Sequence, residues 1–430
     1  MSLLRQEPLD SYLNSFINYE RYKYFPKKVD LTDFKDFLRK AGNPQDRLSP
    51  SILIAGTNGK GSTVAILSSI LQSAGYRVGN FSSPHLFSYR ERIRVDGRPI
   101  PKQEFAQCIR ELRPILDEPY QRLRRTFFEV LTTVAFVHFR NQRTDLNILE
   151  VGLGGKKDST NVIAPVVSVI TSIGFDHTRT LGRTLSAISR EKCGIIGKRG
   201  TVVSSKQHPH ALRVIRDTVM RKKAKLFIAD SDISLVPLSI DERGIRFRYQ
   251  EELMHLPLRG HFQWDNLCTA LLTVEKLGET GFPVRLEELK RGLRKCKLKG
   301  RFDIVARDPL TILDGAHNPS AIRAIMRSIN KLLPERKLIV VFSCLMAKDR
   351  KAMARTIRRY AETVVLTRIE SERATSPAEL RKAFGTRTPS FGTIRDALDH
   401  ARRHARKDSL ILVTGSIYLV AEAYLALAGT

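Results

Sequence analysis

Ala55-Gly56-Thr57-Asn58-Gly59-Lys60-Gly61-Ser62-Thr63 is the stretch whose residue types and spacing point most directly to chemistry. Glycines at this density let backbone N–H groups converge on phosphate oxygens, and a helix starting there adds its positive end. Lys60 is placed to neutralise β- and γ-phosphates. Measured against the spacing G-x-x-x-x-G-K-[ST], Ile54 stands where the leading glycine belongs, and Gly61 takes the place of the hydroxyl. The hydroxyl that could reach Mg²⁺ is therefore moved to Ser62 or Thr63. The plain alternative is a glycine-rich strand-to-helix turn.

Glu150 ends the apolar run LNILEV directly before Gly152-Leu153-Gly154-Gly155. A carboxylate at the C-terminal end of a parallel strand faces the crevice where α/β proteins bind ligands, and it can hold Mg²⁺ through oxygen. Asp176-His177-Thr178 follows another apolar run, which puts His177 on the same rim. Lys192 lies beside Glu191 near the end of a helical pattern over Thr184–Ile196. Taken singly, a strand-end Glu, a turn His and a helical Lys are most often structural.

Those residues need a scaffold of alternating strands and helices, and the sequence reads that way almost throughout. Strands are expected at Ser51–Ala55, Leu146–Val151, Val166–Ser172, Thr201–Ser204 and Leu226–Ala229. Helical periodicity covers Thr63–Ala74, a long stretch running through Lys192, and Asp265–Leu277. The segment Ile233–Leu258 differs: Ile245, Phe247 and Tyr249 alternate and Asp241–Gly244 carries turn chemistry, which predicts an antiparallel hairpin. Lys295–Arg301 marks a domain boundary, with domains expected at 1–297 and 298–430. Strands at Leu310–Leu313, Lys337–Phe342, Thr363–Leu366 and Leu410–Val413 follow it.

Composition narrows the classes. At 430 residues two domains are the default. Hydrophobic residues at 42% and charged ones at 27% are ordinary for a globular protein, and no run approaches a membrane span. The opening MSLLRQEPLD has no apolar export signal, so a cytoplasmic home is expected. Cys108, Cys193, Cys268, Cys296 and Cys344 are scattered without C-x-x-C pairing, which argues against a disulfide framework and a structural zinc site. Seventy-three Lys and Arg against 44 Asp and Glu give a net charge of +29. Dense basic runs at Gln121–Arg125, Arg221–Lys225, Arg291–Arg301, Arg350–Arg359 and Arg402–Lys407 would attract nucleic acid or small acidic substrates alike. They lack the interleaved aromatics of a stacking platform for single strands.

The block AGTNGKGST resembles the phosphate loop of the Mur-ligase superfamily, and the form with Gly after Lys resembles its folylpolyglutamate synthase/dihydrofolate synthase branch. Ser82-Ser83-Pro84-His85-Leu86, Thr126-Phe127-Phe128-Glu129, ITSIGFDHT, REKCGII and GHFQWDNLCTA are similar to further blocks of that family in order and spacing. So are Gly300-Arg301-Phe302, Asp314-Gly315-Ala316-His317-Asn318-Pro319, Val341-Phe342 with Lys348-Asp349, and Val413-Thr414-Gly415-Ser416. The resemblance runs from Tyr12 to Glu422. It implies an α/β protein with a P-loop Mur-ligase-type central domain followed by a smaller Rossmann-like C-terminal α/β domain.

It also implies site residues. ATP would lie on Gly56, Thr57, Asn58, Gly59, Lys60, Gly61, Ser62 and Thr63, with Asn266 and Gln263 facing the nucleotide and Arg301 and Asp314 closing over it. Ser62, Ser83, Glu150, His177 and a carbamylated Lys192 would hold Mg²⁺. Lys60, His177, Lys192, Arg301, Asp314 and His317 would form the catalytic set. Ser83, Pro84, His85, Ser159, His317 and Ser416 would bind substrates. The implied reaction has a substrate carboxylate attack the γ-phosphate of ATP, after which the amine of L-glutamate attacks the acyl phosphate. The acceptor would be a folate or dihydropteroate, and Asp158-Ser159-Thr160-Asn161 leans towards folate extension. Lys156-Lys157 stand where relatives carry Arg-Leu or Arg-Tyr, which bears on the substrate more than on the reaction. A monomer with small-molecule partners and no membrane or nucleic-acid partner is expected. The competing readings are a Mur-type ligase for a non-folate carboxylate and a basic P-loop ATPase that binds nucleic acid.

Overall fold

The computed structural model describes residues 8–20 and 31–428. The segment MSLLRQE, part of the stretch read above for lack of an export signal, lies outside them.

Eight strands make the first sheet: β1 Ser51–Ala55, β2 Val78–Phe81, β3 Ile93–Val95, β4 Arg98–Pro99, β5 Leu146–Glu150, β6 Val167–Ile170, β7 Thr201–Ser204 and β8 Lys225–Ile228. They are ordered β4-β3-β2-β5-β1-β6-β7-β8. β1 pairs in parallel with β5 and β6, and every residue of β1 and β5 is buried. Burial on both faces is why these strands are near-continuous apolar runs rather than alternating ones. Helix Phe127–Asn141 covers one face, opened by a capping box in which Thr126 and Glu129 satisfy each other's backbone amides. Helices Lys60–Ser73 and Phe262–Gly278 cover the other.

Three differences from the expectations have physical causes. The long helical pattern ending at Lys192 is broken into Thr178–Leu181 and Leu185–Lys192. Gly182 separates them at φ 104°, and a Cβ there would fall 2.6 Å from Ala187 Cβ. The expected hairpin is a three-stranded meander of β9 Val236–Asp241, β10 Gly244–Tyr249 and β11 Glu252–Leu256. Its centre keeps the expected alternation: Ile245, Phe247 and Tyr249 are buried, and Arg246 and Arg248 are exposed. β2 carries no apolar run because it packs too closely for one. A Cβ on Gly79 would lie 2.4 Å from Asn147 Oδ1 and 2.9 Å from the Phe139 ring.

Helix Leu286–Lys295 packs back on helix 60–73. The chain then enters a second sheet of β12 Asp303–Arg307, β13 Leu310–Asp314, β14 Lys337–Phe342, β15 Thr363–Thr367, β16 Ser390–Phe391 and β17 Ser409–Thr414. The order is β12-β13-β17-β14-β15-β16, parallel except for β12. Each sheet has separate apolar clusters on its two faces. The C-terminal ends of β1, β5 and β6 face residues that follow β13 and β14, and this cleft gathers the chemistry.

Candidate active site

The phosphate loop joins β1 to helix 60–73. Gly59 adopts φ 90°, and a Cβ there would meet Asn266 Oδ1 at 2.2 Å. Asn266, on helix 262–278, thus fills the space that only glycine leaves, and it accepts no role change without moving the loop. At Gly56 a Cβ would strike Thr171 Oγ1 at 1.8 Å. The amides of Thr57 and Asn58 both donate to Ser172 O, at 2.9 and 3.1 Å, and Thr63 N donates to Gly59 O at 2.9 Å. The N–H groups of Lys60, Gly61 and Ser62 precede the first helical bond, and these are the donors free to meet an anion.

Lys60 curls back, its Nζ 3.2 Å from Gly56 O and 3.9 Å from Glu150 Oε1. Glu150 is buried and accepts Ser83 N at 3.4 Å. Burial pushes its carboxyl above the usual range, against the pull of Lys60, the Ser83 amide and Arg301. A Cβ on Gly61 would stand 4.0 Å from Glu150 Oε2, so position 61 looks onto that carboxylate. Thr63 Oγ1 donates to Gly59 O at 3.0 Å, which leaves Ser62 as the available hydroxyl. Among the described residues no three His, Cys, Asp or Glu side chains converge as a metal site. One carboxylate with serine hydroxyls nevertheless suits Mg²⁺, which keeps waters and takes its remaining ligands from phosphates.

Lys192 ends helix 185–192, is buried, and donates to Gly56 O at 2.7 Å. Burial and the nearby charge of Lys60 push its ammonium down to about 7. His177, at φ 48°, follows Asp176. The cleft lowers His177 to about 3, through lost hydration and the Lys348 charge, although 42% of its side chain is solvent-exposed.

Asp176 is the centre of a cross-domain cluster. It accepts Lys348 Nζ at 2.7 and 2.9 Å and Asn318 Nδ2 at 3.3 Å, and His317 Nε2 lies 3.4 Å away. Burial alone would raise Asp176, but the His317 hydrogen bond and Lys348 outweigh it and hold the carboxylate far below its usual range. Replacing Lys348 with Met would leave Asp176 ionised, buried and short of its main partner, at a cost of about 3–5 kcal/mol. Thermal unfolding of K348M should show that loss from above the ordinary aspartate value to neutral pH, and the loss should shrink in alkali because burial lowers the Lys348 ammonium. A depressed carboxyl stabilises above its unfolded pKa and ceases to only as pH falls through its folded one. An unchanged midpoint would contradict the role given to this pair.

The second sheet supplies the remaining candidates. Asp314 uses both oxygens on backbone, accepting Phe302 N and Ala316 N at 2.8 Å each. It ties the Arg301 turn to the His317 loop. Arg301 lies against Gly315, where a Cβ would fall 2.4 Å from Nη1. Ser416 is buried and accepts Tyr418 N at 3.2 Å. Asn266 donates to Gln263 Oε1 at 2.8 Å, and Gln263 Nε2 is buried with no partner among the described residues.

On the substrate-side loop, Pro84 is exposed and Ser83 faces Glu150. His85 Nδ1 accepts from Arg92 Nε at 2.9 Å, and burial with that guanidinium lowers the ring to about 4. Arg92, fully buried, forks onto Glu20 at 2.8 and 2.5 Å. Ser159 is buried in the turn Ser159–Val162, whose cap Asp158 accepts Thr160 N at 3.0 Å. The structure thus brings Lys60, Ser83 and Glu150 together, sets Lys192 beside Lys60 on the carbonyl of Gly56, and gathers His177 and His317 around Asp176, while Ser62 is buried in the first turn of helix 60–73. Asp176 and Lys348 lie within the blocks ITSIGFDHT and Val341-Phe342 with Lys348-Asp349, but local spacing assigns neither a role. Arg92 had no sequence signal at all.

The Mur ligase middle domain family matches residues 54–274, and the Mur ligase, glutamate ligase domain family matches residues 300–417. The dihydrofolate synthase/folylpolyglutamate synthase of Bacillus subtilis (strain 168) is 31% identical over 408 residues, covering 93% of this chain and 95% of that protein. The solved Mycobacterium tuberculosis folylpolyglutamate synthase complexed with ADP superposes at TM-score 0.86 with 30% identity, covering 98% of each chain. A bifunctional folylpolyglutamate synthase/dihydrofolate synthase solved with Mn, AMPPNP and L-glutamate bound gives TM-score 0.84 and 29% identity, again covering 98% of each chain.

Proposed function

The chain belongs to the folylpolyglutamate synthase/dihydrofolate synthase family of Mur ligases, and from that premise we propose how its own residues divide the work. The protein is an ATP-dependent ligase that joins L-glutamate to a folate through an amide bond, using ATP and a divalent metal.

The single observation that carries the residue assignment is the arrangement around the phosphate loop. Free amides of residues 60–62, Lys60 and buried Glu150 line one space at the end of β1 and β5. Glu150, Ser62 and Ser83 would hold the metal on one side, and His177 with Lys192 on the other. The metal supplies Lewis-acid stabilisation of charge on the phosphoryl oxygens. Lys60 and Arg301 add fixed positive charge where negative charge grows. A carboxylate oxygen of the acceptor attacks the γ-phosphorus and ADP leaves. The amine of glutamate then attacks the acyl carbon, phosphate departs, and the amine proton is lost to solvent.

Lys192 carries a carbamate in the working enzyme. Its amine retains a neutral fraction near pH 7, which is the form that reacts with CO₂. Residues 1–297 bind nucleotide, and residues 298–430 bring Arg301, His317 and Ser416 to the glutamate. Among the described residues no helix is long and apolar enough to cross a membrane. The reading places the enzyme in the cytoplasm as a monomer.

The acceptor we favour is tetrahydrofolate, with dihydropteroate second. ADP release and product mass, measured with labelled glutamate and each acceptor in turn, decide between them. Glutamate-dependent turnover with tetrahydrofolate alone means chain extension, and turnover with both means a bifunctional enzyme. Silence with both, from protein that still binds ATP, would remove the folate assignment.

A further inference from the structure

Part of the chain's positive charge meets carboxylates: Arg113 and Arg122 lie on Asp117, Arg124 and Arg125 on Asp33, and Arg350 and Lys382 on Glu379. On one surface no such partner is present. Helices Pro319–Leu332 and Arg350–Ile357 lie side by side on the second sheet, held by Ile325 and Ile329 of the first and Met353 and Ile357 of the second. Neither helix contains an Asp or a Glu. Asp349 caps the second helix by accepting Ala352 N at 3.0 Å, and Glu335 and Glu362 fall beyond the helix ends. On the outward side of the first helix, Arg323, Arg327 and Lys331 follow at four-residue intervals, which places them in one row with about 6 Å of rise per step. On the second, Lys351 and Arg355 continue into Arg358 and Arg359 in the turn that ends it. All seven are exposed, and among the described residues none forms an ion pair or a side-chain hydrogen bond. Like charges at such spacing destabilise a helix, and here no carboxylate among the described residues offsets them.

We propose that this double row is a docking surface for the phosphate backbone of a double-helical nucleic acid, separate from the ligase site. Five of the seven cations are arginines, whose planar fork fits two phosphate oxygens at once, where lysine offers only a point charge. No large exposed apolar side chain lies on either helix, so the surface lacks the anchor of a protein interface and the apolar face that enters a membrane. It lacks an exposed aromatic as well, which removes the stacking by which single strands are held. What remains is charge at fixed spacing on packed helices, which reads backbone and no sequence. The lack of interleaved aromatics in the basic runs thus argues against single strands, and not against a duplex. The inference does not depend on the ligase reading, because its residues are not those assigned to the reaction.

The test measures binding of fluorescein-labelled duplex RNA and duplex DNA, of unrelated sequences, to the full chain by anisotropy over a series of salt concentrations. Wild type should bind with a Kd on the order of 10 µM or tighter at about 0.1 M salt, without regard to sequence. R323E/R327E/K331E and K351E/R355E/R358E should each bind at least about tenfold more weakly, with the slope of log K against log salt flatter by about two to three. The control R395E/R403E/R406E makes the same change in net charge on helix Ile394–His404 and its exit, where Asp396 and Asp399 stand among the cations. It should stay within about threefold of wild type. Glutamate-dependent ADP release should be unchanged in all three variants. The two variants of the surface lie on different helices, so either carries the test if the other does not fold. Tighter binding of one duplex names the source, and equal binding shows that the shared backbone is read. Wild type that binds neither duplex, or a control that weakens binding as much as the surface variants, would overturn the proposal. So would poly-L-glutamate that binds as tightly as a duplex, which would make the surface a site for acidic protein.

Discussion

Glutamine at position 150 should leave a folded protein that still binds nucleotide but releases ADP about a thousandfold more slowly, since charge stabilisation by a bound metal is worth several kcal/mol. The expected split between activity and stability is the informative part. Glu150 is buried, it accepts the Ser83 amide at 3.4 Å, and burial holds its carboxyl above the usual range. A raised carboxyl binds protons more tightly folded than unfolded, so the ionised form costs stability once pH passes the ordinary glutamate value. E150Q removes that cost. Its unfolding midpoint near pH 7.5, without nucleotide or metal, should equal or exceed that of wild type. Activity within tenfold of wild type, or a clear fall in midpoint, would show that Glu150 is part of the framework and not a metal ligand.

Lys192→Met should reduce turnover about a hundredfold to a thousandfold by removing the carbamate-bearing amine. Here too stability moves the other way. With a folded pKa of about 7 against an ordinary 10.5, the buried ammonium costs stability in full below about pH 7. That cost fades as pH rises towards the unfolded value. In protein freed of CO₂, K192M should therefore unfold at higher temperature than wild type in mildly acidic buffer, and the gap should close in alkali. In the presence of bicarbonate, wild type should gain the mass of one CO₂ at this residue, more so as pH rises through 7, and K192M should not. A modified wild type whose turnover K192M matches would refute the assignment.

The parts of this site that could be read from sequence are those written in local spacing. The phosphate loop has its glycines and lysine within nine residues, and the geometry of a strand-to-helix turn dictates the rest. Glu150 was legible because an apolar run ends on it. Gly61, by contrast, reads in sequence as a missing hydroxyl. In the fold it is the position that looks onto Glu150, so the carboxylate of another strand stands where the motif would have placed an alcohol. The contacts Asp176–Lys348, Asn58–Asn318 and Asn266–Gly59 span 172 and more positions, and no periodicity encodes such distances.

The same division holds for the fold. Buried parallel strands such as β1 and β14 announce themselves as apolar runs. β2 does not, since Gly79 and Asn80 answer to neighbours: Phe139 needs the space, and Asn80 donates to Ser68 at 2.6 Å. Helical periodicity over 178–192 was real, but it could not show that Gly182 turns the chain where Ala187 leaves no room for a side chain.

Helix 60–73 and helix 319–332 belong to different domains, and both open beside Asn58. Each presents the positive end of its dipole to the same small volume, where Lys60 and Lys192 already crowd one carbonyl. Closing such a seam on nothing but water gathers these positive groups, a cost that the Asp176–Lys348 pair offsets in part. A polyphosphate removes the rest of that cost. ATP is in that sense a mortar as well as a reactant: its negative charge favours the closed joint. Once the terminal phosphoryl group has been passed on and released, the joint holds less of it, and the two halves have reason to part.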